Sequence, residues 1–340
     1  MTLLFMGIVM SSFGLWAFRT VAPRLGLLDT PNSRSQHRSP IVVGAGVVVA
    51  LVFVVLVVLA HQSAHVDFPQ IESIVMIMAG LALVGLADDR CNLPSLPRLV
   101  LYVCASAFLV FTQAPAYSLV LLLILSVFGA WTINAFNFMD GLDGFAATQT
   151  MCVCAGIAIL GLVLEEGNTL PSSVVLCALL AAALAPLMWL NWPPASVFMG
   201  DSGAIFLGFT LCTIGLVGFQ ENQLMGYAWL ILMAPFLVDS TGTLLIRTVQ
   251  GYAPHIAHSD HLYQRLARSG VRSNAWSFTW PVTWRVNSAI TVNIGLLMLQ
   301  ALWQFPLVYW LVRCPDWGEF LVFVSMIPTA VFLAHQRIKR

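Results

Sequence analysis

The chain alternates apolar runs of about twenty residues with short polar stretches, and that alternation excludes most folds before any motif is read. A helix needs about 20 apolar residues to cross the hydrocarbon core of a bilayer. No water reaches an unpaired backbone there, so lipid-exposed runs of this length must be helical. The candidate spans are roughly 3–22, 41–60, 71–87, 97–113, 117–135, 143–164, 172–190, 203–219, 226–247, 286–304 and 319–335. The reading is an all-α, polytopic integral membrane protein with 10–11 transmembrane helices and one domain over 1–340. Charged residues make up only 9% of the chain, against roughly 25% in soluble domains. Residues 1–17 lack the basic start of a signal peptide and are read as the first span. The formal net charge is zero, which leaves no basic footprint for nucleic acid. The seven cysteines, mostly inside apolar runs, form no zinc-type cluster with histidine.

Basic residues orient the bundle. With the N-terminus periplasmic and the C-terminus cytoplasmic, the cytoplasmic segments are 23–40, 88–96, 136–144, 191–203 and 248–285. Of the fifteen Lys and Arg residues, only Arg313 then falls outside these segments, the adjoining span ends and the C-terminus. Lys and Arg alone decide this, yet the assignment gathers three acidic clusters on the same face.

Asp88 and Asp89 end the third span. Adjacent carboxylates repel, so they read as a cation-associated pair, as a general base, or as a polar helix end neutralised by Arg90. Asn137, Asp140 and Asp143 recur at i, i+3 and i+6, which in a helix stacks them along one face. Gly141 and Gly144 let a ligand approach the backbone. Oxygen donors of this kind suit magnesium, and a capped loop is the plainer alternative. Asp201, in Phe198-Met199-Gly200-Asp201-Ser202-Gly203, is expected near a helix N-terminus, where free N–H groups attract phosphate or Asp201 itself caps. Phe198 suits either base stacking or an interfacial position. Arg34 and His37, in a basic turn before Gly44 and Gly46, suit a phosphate or nucleotide, or anionic headgroups. His255, His258 and His261, spaced by three, would share a helical face with Arg265 and Arg268. The arginines favour an anion there over zinc; solvated imidazoles are the alternative. Asp239, inside the ninth span, is either an intramembrane functional acid or a partner in interhelical hydrogen bonds.

Taken in order, Pro31-Asn32-Ser33-Arg34-Ser35-Gln36-His37 through Gly46, Asp88-Asp89, Asn134 through Gly144, Phe198 through Gly203, and His258 through Leu266 cover positions 31 to 266. This series resembles the polyprenyl-phosphate N-acetylhexosamine-1-phosphate transferases (glycosyltransferase family 4). The family includes the phospho-MurNAc-pentapeptide translocase and the transferases that start bacterial surface glycans. The ending His-Leu-Tyr-Gln-Arg-Leu looks most like the O-antigen-initiating branch.

The resemblance implies transfer of a HexNAc-1-phosphate from a UDP-N-acetyl sugar, of GlcNAc or 6-deoxy-HexNAc type, to undecaprenyl phosphate. UMP would be released, in a bacterial inner membrane, for lipopolysaccharide synthesis. It implies Asp201 as the main magnesium ligand (manganese the alternative) with Asp140 beside it. Asn137 would position the site, and Asp143 and Phe198 would contact uridine. Gly141, Arg34 and His37 would belong to the nucleotide-binding set. Asp88 would act on the lipid phosphate as base or positioning group, with Asp89 in the same catalytic pair. His258 and His261 would contact the diphosphate or its leaving group. Two positions depart from the pattern. Ser259-Asp260 stands where the branch usually has Arg-Ser, which weakens the case for donor binding by that loop. Asn92 replaces a third acid, so no metal ligand is expected there. One-step and covalent two-step routes both remain open, and a homodimer is compatible with the sequence. The rival readings are a secondary transporter, whose ligands would sit near the midplane, and a membrane prenyltransferase.

Overall fold

The structure, a computed structural model, describes residues 1–30, 40–164, 169–253, 258–272 and 288–338. Arg34, His37 and His255 lie outside the described residues. The apolar runs become helices α1 (Thr2–Val21), α2 (Gly46–Gln62), α3 (Ile71–Cys91), α4 (Ser95–Gln113), α5 (Leu119–Met139), α6 (Phe145–Leu164), α7 (Ser172–Asn191), α8 (Gly200–Glu221) and α9 (Gln223–Val249). A short amphipathic α10 (Leu262–Arg272) precedes α11 (Ser288–Leu299), α12 (Phe305–Arg313) and α13 (Gly318–Ile338). Ten helical stretches among the described residues are long and apolar enough to cross a membrane, and α2, at 17 residues, is shorter. The chain is therefore an all-helical, multi-span membrane protein.

Packing follows composition. The α8 helix is apolar on every side, as a central helix must be, and is buried without a break from Ser202 to Gly215. It packs against α3, α5 and α9, while α4 lies against α5 and α1 against α7. Phe5, Phe13 and Trp16 of α1 stay exposed on the rim, as expected of side chains that face lipid.

One departure from the expected boundaries falls at a proline. The tenth span was expected to stop near 304, yet the helix runs on to Arg313. A π-helical segment, Gln300–Gln304, directly precedes Pro306 and accommodates its missing N–H. That wide turn buries Gln300 and Gln304. In α9, Pro235 removes a backbone donor in the helix interior. Close by, the Leu232 carbonyl accepts from Gln149 Nε2 (2.8 Å) and Gln300 Nε2 (3.0 Å).

At one end of the bundle, a two-residue hairpin pairs Leu28 with Val42 and Asp29 with Ile41. Val42 also bridges to Val197, and Phe198 N–H donates to its carbonyl at 2.8 Å. The hairpin is thereby joined to the loop that enters α8. This is the end at which α3, α5 and α8 bring their acidic residues together.

Candidate active site

Each acidic cluster sits at a helix end, and the helix packing brings the three ends together. Asp201 is the second residue of α8. Its Oδ1 accepts from Asn137 Nδ2 of α5 (2.9 Å), and its Oδ2 faces Arg98 Nη1 of α4 (3.1 Å). Arg98 also pairs with Asp88. Asp88 is 5% exposed, and its Oδ1 accepts from Leu93 N–H at 2.6 Å. One guanidinium thus joins the α3 acid to the α8 acid.

Asp89 points elsewhere, because adjacent helical residues face directions about 100° apart. Its Oδ1 accepts from the N–H of Asp201 (2.8 Å) and its Oδ2 from the N–H of Ser202 (3.2 Å). It caps α8 from another helix, satisfying two of the donors that every helix start leaves unpaired. Gly200 makes this possible. It has φ +74°, and a Cβ there would come within 2.5 Å of Asp89 Oδ2. The N-cap that the sequence offered as the plainer alternative for Asp201 is supplied by Asp89 instead.

The helix expected through Asp143 stops earlier. The α5 helix ends at Met139, Asp140 is its C-cap, and Gly144 turns the chain at φ +73°. Asp143 therefore leaves the Asn137 face: its Oδ2 accepts from Ala195 N–H (3.0 Å) in the loop before α8. Asn191 ties the same two loops, accepting from Gly144 N–H (3.0 Å) and donating to the Val197 carbonyl (2.9 Å). Asp140 stays within electrostatic reach of the cluster. Burial, and then the carboxylates of Asp201, Asp89 and Asp143, push its pKa well above the usual carboxylate range.

The expected histidine helix does not form over the described positions either. His258 and His261 precede α10 rather than lie in it. Their rings still meet, 4.8 Å apart, and the His261 ring lies 5.8 Å from that of Phe138. Burial, and then the charges of His261 and Arg247, push the His258 pKa down to about 4, so it is a neutral imidazole near pH 7. The intramembrane acid Asp239 has a structural task. Its oxygens accept from Leu262 N–H (2.8 Å) and Tyr263 N–H (3.2 Å), capping α10, and from Thr243 Oγ1 (3.0 Å). The unexpected Asp260 pairs with Arg247 of α9, and Arg268 holds Ser259. These partners account for the two residues that departed from the expected loop pattern.

Sequence reasoning missed Arg98, Asn191 and Tyr263. Arg98 was visible only as an orienting charge, and Asn191 and Tyr263 only as members of apolar or motif segments.

A divalent cation fits the donor set. Asp140 and Asp201 offer hard oxygen donors, and Arg98 is the cation paired with the acids there. Among the described residues, no three acidic, imidazole or thiol side chains already converge as a ligand cage. Magnesium does not require one, because it keeps waters and shares one or two carboxylates with substrate phosphates.

The profile of Glycosyl transferase family 4 matches residues 71–219, which run from α3 through α8 and contain every acid of the cluster. Over that stretch the chain is similar to glycosyl transferase family 4. The histidine loop and α10 lie beyond the stretch that matches the family-4 profile. The chain is 28% identical over 307 residues to the undecaprenyl-phosphate alpha-N-acetylglucosaminyl 1-phosphate transferase of Escherichia coli K12, covering 83% of this chain and 79% of that protein. It is similarly 28% identical over 304 residues to the decaprenyl-phosphate N-acetylglucosaminephosphotransferase of Mycobacterium tuberculosis, covering 77% and 74%. A probable undecaprenyl-phosphate N-acetylglucosaminyl 1-phosphate transferase of Bacillus subtilis is 23% identical over 275 residues, covering 74% and 73%.

Proposed function

We propose that this enzyme transfers an N-acetylhexosamine-1-phosphate from a UDP-sugar to undecaprenyl phosphate and releases UMP. The observation that carries this reading is Asp201, held between Asn137 and Arg98 with Asp140 beside it, at the surface end of an otherwise apolar bundle. That position can receive a water-soluble nucleotide from one side and a membrane lipid from the other. The names of the relatives support the same acceptor class and a GlcNAc-type donor.

An oxygen of the lipid phosphate attacks the phosphorus that carries the sugar. A P–O bond forms there, and the P–O bond to UMP breaks. The nucleophile is already anionic, so the protein's tasks are alignment and charge balance rather than proton removal. Asp88, buried and paired with Arg98, suits positioning better than general-base work. Asp201 and Asp140 would hold magnesium, whose chemistry is to neutralise charge on the diphosphate and the departing UMP. Asp89 keeps the α8 end, and hence Asp201, in place. Neutral His258 can donate to a phosphate oxygen from one ring nitrogen. Asp143 and Phe198 would border the uridine.

For the acceptor's chain, an apolar groove of about 330 Å³ opens between α3 and α4, lined by Ile77, Gly80, Leu81, Val84, Leu101 and Phe108 among others. One turn beyond Val84 on α3 is Asp88, and one turn before Leu101 on α4 is Arg98. The groove therefore heads from the lipid toward the acid cluster. The positive-inside pattern supports a cytoplasmic acidic end and a periplasmic N-terminus, in a bacterial inner membrane. The product would initiate O-antigen or a related surface polysaccharide.

The test is a panel of UDP-HexNAc donors with undecaprenyl phosphate and the purified full chain, read as UMP release. Release that depends on both substrates is the expected result. No release from any donor, or release without the lipid phosphate, would overturn the assignment. The transporter reading loses its intramembrane acid, because Asp239 caps α10.

A further inference from the structure

The short turn that carries Asp140 is held by a residue from far along the chain. Tyr263, in the first turn of α10, is 2% exposed. Its hydroxyl donates to the Phe138 carbonyl (2.9 Å) and accepts from Gly141 N–H (3.1 Å). Those two backbone groups flank Met139-Asp140, where α5 ends and its last carbonyls lack helical partners. Burial raises the phenol's pKa, so the hydroxyl keeps the proton it donates. The Tyr263 ring stacks on Phe145, the first residue of α6, with centroids 4.8 Å apart and planes at 16°. A side chain at position 141 would collide with the Tyr263 hydroxyl, so Gly141 leaves the space in which the contact is made. Behind Tyr263 stands Asp239, which accepts from the N–H groups of Leu262 and Tyr263.

We propose that Tyr263 is a positioning residue that clasps the Asp140 turn against the histidine loop, and that Asp239 positions Tyr263. The proposal rests on the phosphoglycosyl-transfer reading above and adds two residues to it. Neither would touch substrate. Tyr263 acts through Asp140, and Asp239 acts through Tyr263. The clasp also joins the stretch that matches the family profile to a loop outside it, so the acid turn and the histidine pair keep one mutual geometry.

The experiment is a double-variant cycle on the purified full chain, with UMP release and thermal unfolding measured side by side. Tyr263→Phe keeps the ring stack and removes only the hydroxyl. Expected is a fall in kcat of roughly 10- to 100-fold, the scale of an ångström-sized misplacement. The KM for the UDP-sugar should change less than kcat, and the melting temperature should stay near wild type. Gly141→Ala should be impaired at least as strongly. In the double variant the added methyl no longer meets the hydroxyl and keeps only the 3.0 Å contact with Gln264 Nε2, so Tyr263→Phe should recover part of the Gly141→Ala loss rather than multiply it. Asp239→Asn should lower kcat without adding to the Tyr263→Phe loss. Wild-type kcat in Tyr263→Phe, or losses that multiply in the double variant, would overturn the clasp while leaving the reaction intact. A wild-type protein that releases no UMP would instead overturn the reaction on which the clasp rests.

Discussion

The carboxylate of Asp89, at the end of α3, accepts the backbone N–H of Asp201, at the start of α8, at 2.8 Å. The neighbouring Asp88 turns the other way to Arg98. Two adjacent, chemically identical residues therefore do different work. One holds a helix end, and the other belongs to the charged cluster.

The first prediction follows for Asp89. Asp89→Ala removes the acceptor for two α8 amides and should lower stability by about 1 kcal/mol, the usual cost of a lost cap. Asp89→Asn keeps a capping oxygen and should melt closer to wild type. Thermal unfolding in detergent reads the difference. An Asp89→Ala variant that melts like wild type and is nonetheless inactive would make Asp89 a participant in chemistry instead.

Asp201→Asn preserves shape but removes the charge that faces Arg98. We expect UMP release to fall by roughly 100-fold or more, the scale for deleting one charge-stabilising group from an active site. Chelation of divalent cations should abolish wild-type release, and added magnesium should restore it. Wild-type rates in Asp201→Asn would remove Asp201 from the site.

His258 supplies a pH signature. Its folded-state pKa, about 4, lies below its ordinary 6.5. As pH falls from 6.5 toward 4, the unfolded chain takes up this proton before the folded chain does, so stability drops across that window. Above 6.5 the contribution is fully present. Melting temperatures of His258→Gln should therefore depend less steeply on pH between 6.5 and 4 than those of wild type. Identical slopes would mean that His258 titrates normally.

Gly80 tests the lipid groove. An added Cβ there meets nothing within 4 Å, so the side chain of Gly80→Leu starts into open space at a residue that lines the groove. The KM for undecaprenyl phosphate should rise severalfold while the KM for the UDP-sugar stays put. Unchanged lipid kinetics would move the prenyl chain to another face of the bundle.

The helices were legible because each apolar run must satisfy its own backbone in lipid, and length alone then marks a span. The meeting of the three acidic clusters was legible because basic residues orient the loops that carry them. The division of labour between Asp88 and Asp89 was not. It depends on Arg98 in the next helix and on the α8 start more than a hundred residues away, and no local period encodes either contact. The spacing of Asn137, Asp140 and Asp143 suggested one helical face, but α5 ends at Met139 and Asp140 is its C-cap. Three-residue spacing of histidines likewise suggested a helical face, but α10 begins only after His261, where Asp239 caps it. In both places a distant partner overrode a local pattern.

The residues at the start of α10 are fastened to α9 at two points, through Arg247–Asp260 and through Asp239–Leu262. A segment pinned twice to one rod travels with that rod. Any tilt of this end of α9 would carry His261 along and, through the Tyr263 hydroxyl, pull on the turn that holds Asp140. The imidazoles and the acids then shift as one body, and a change at one is felt at the other.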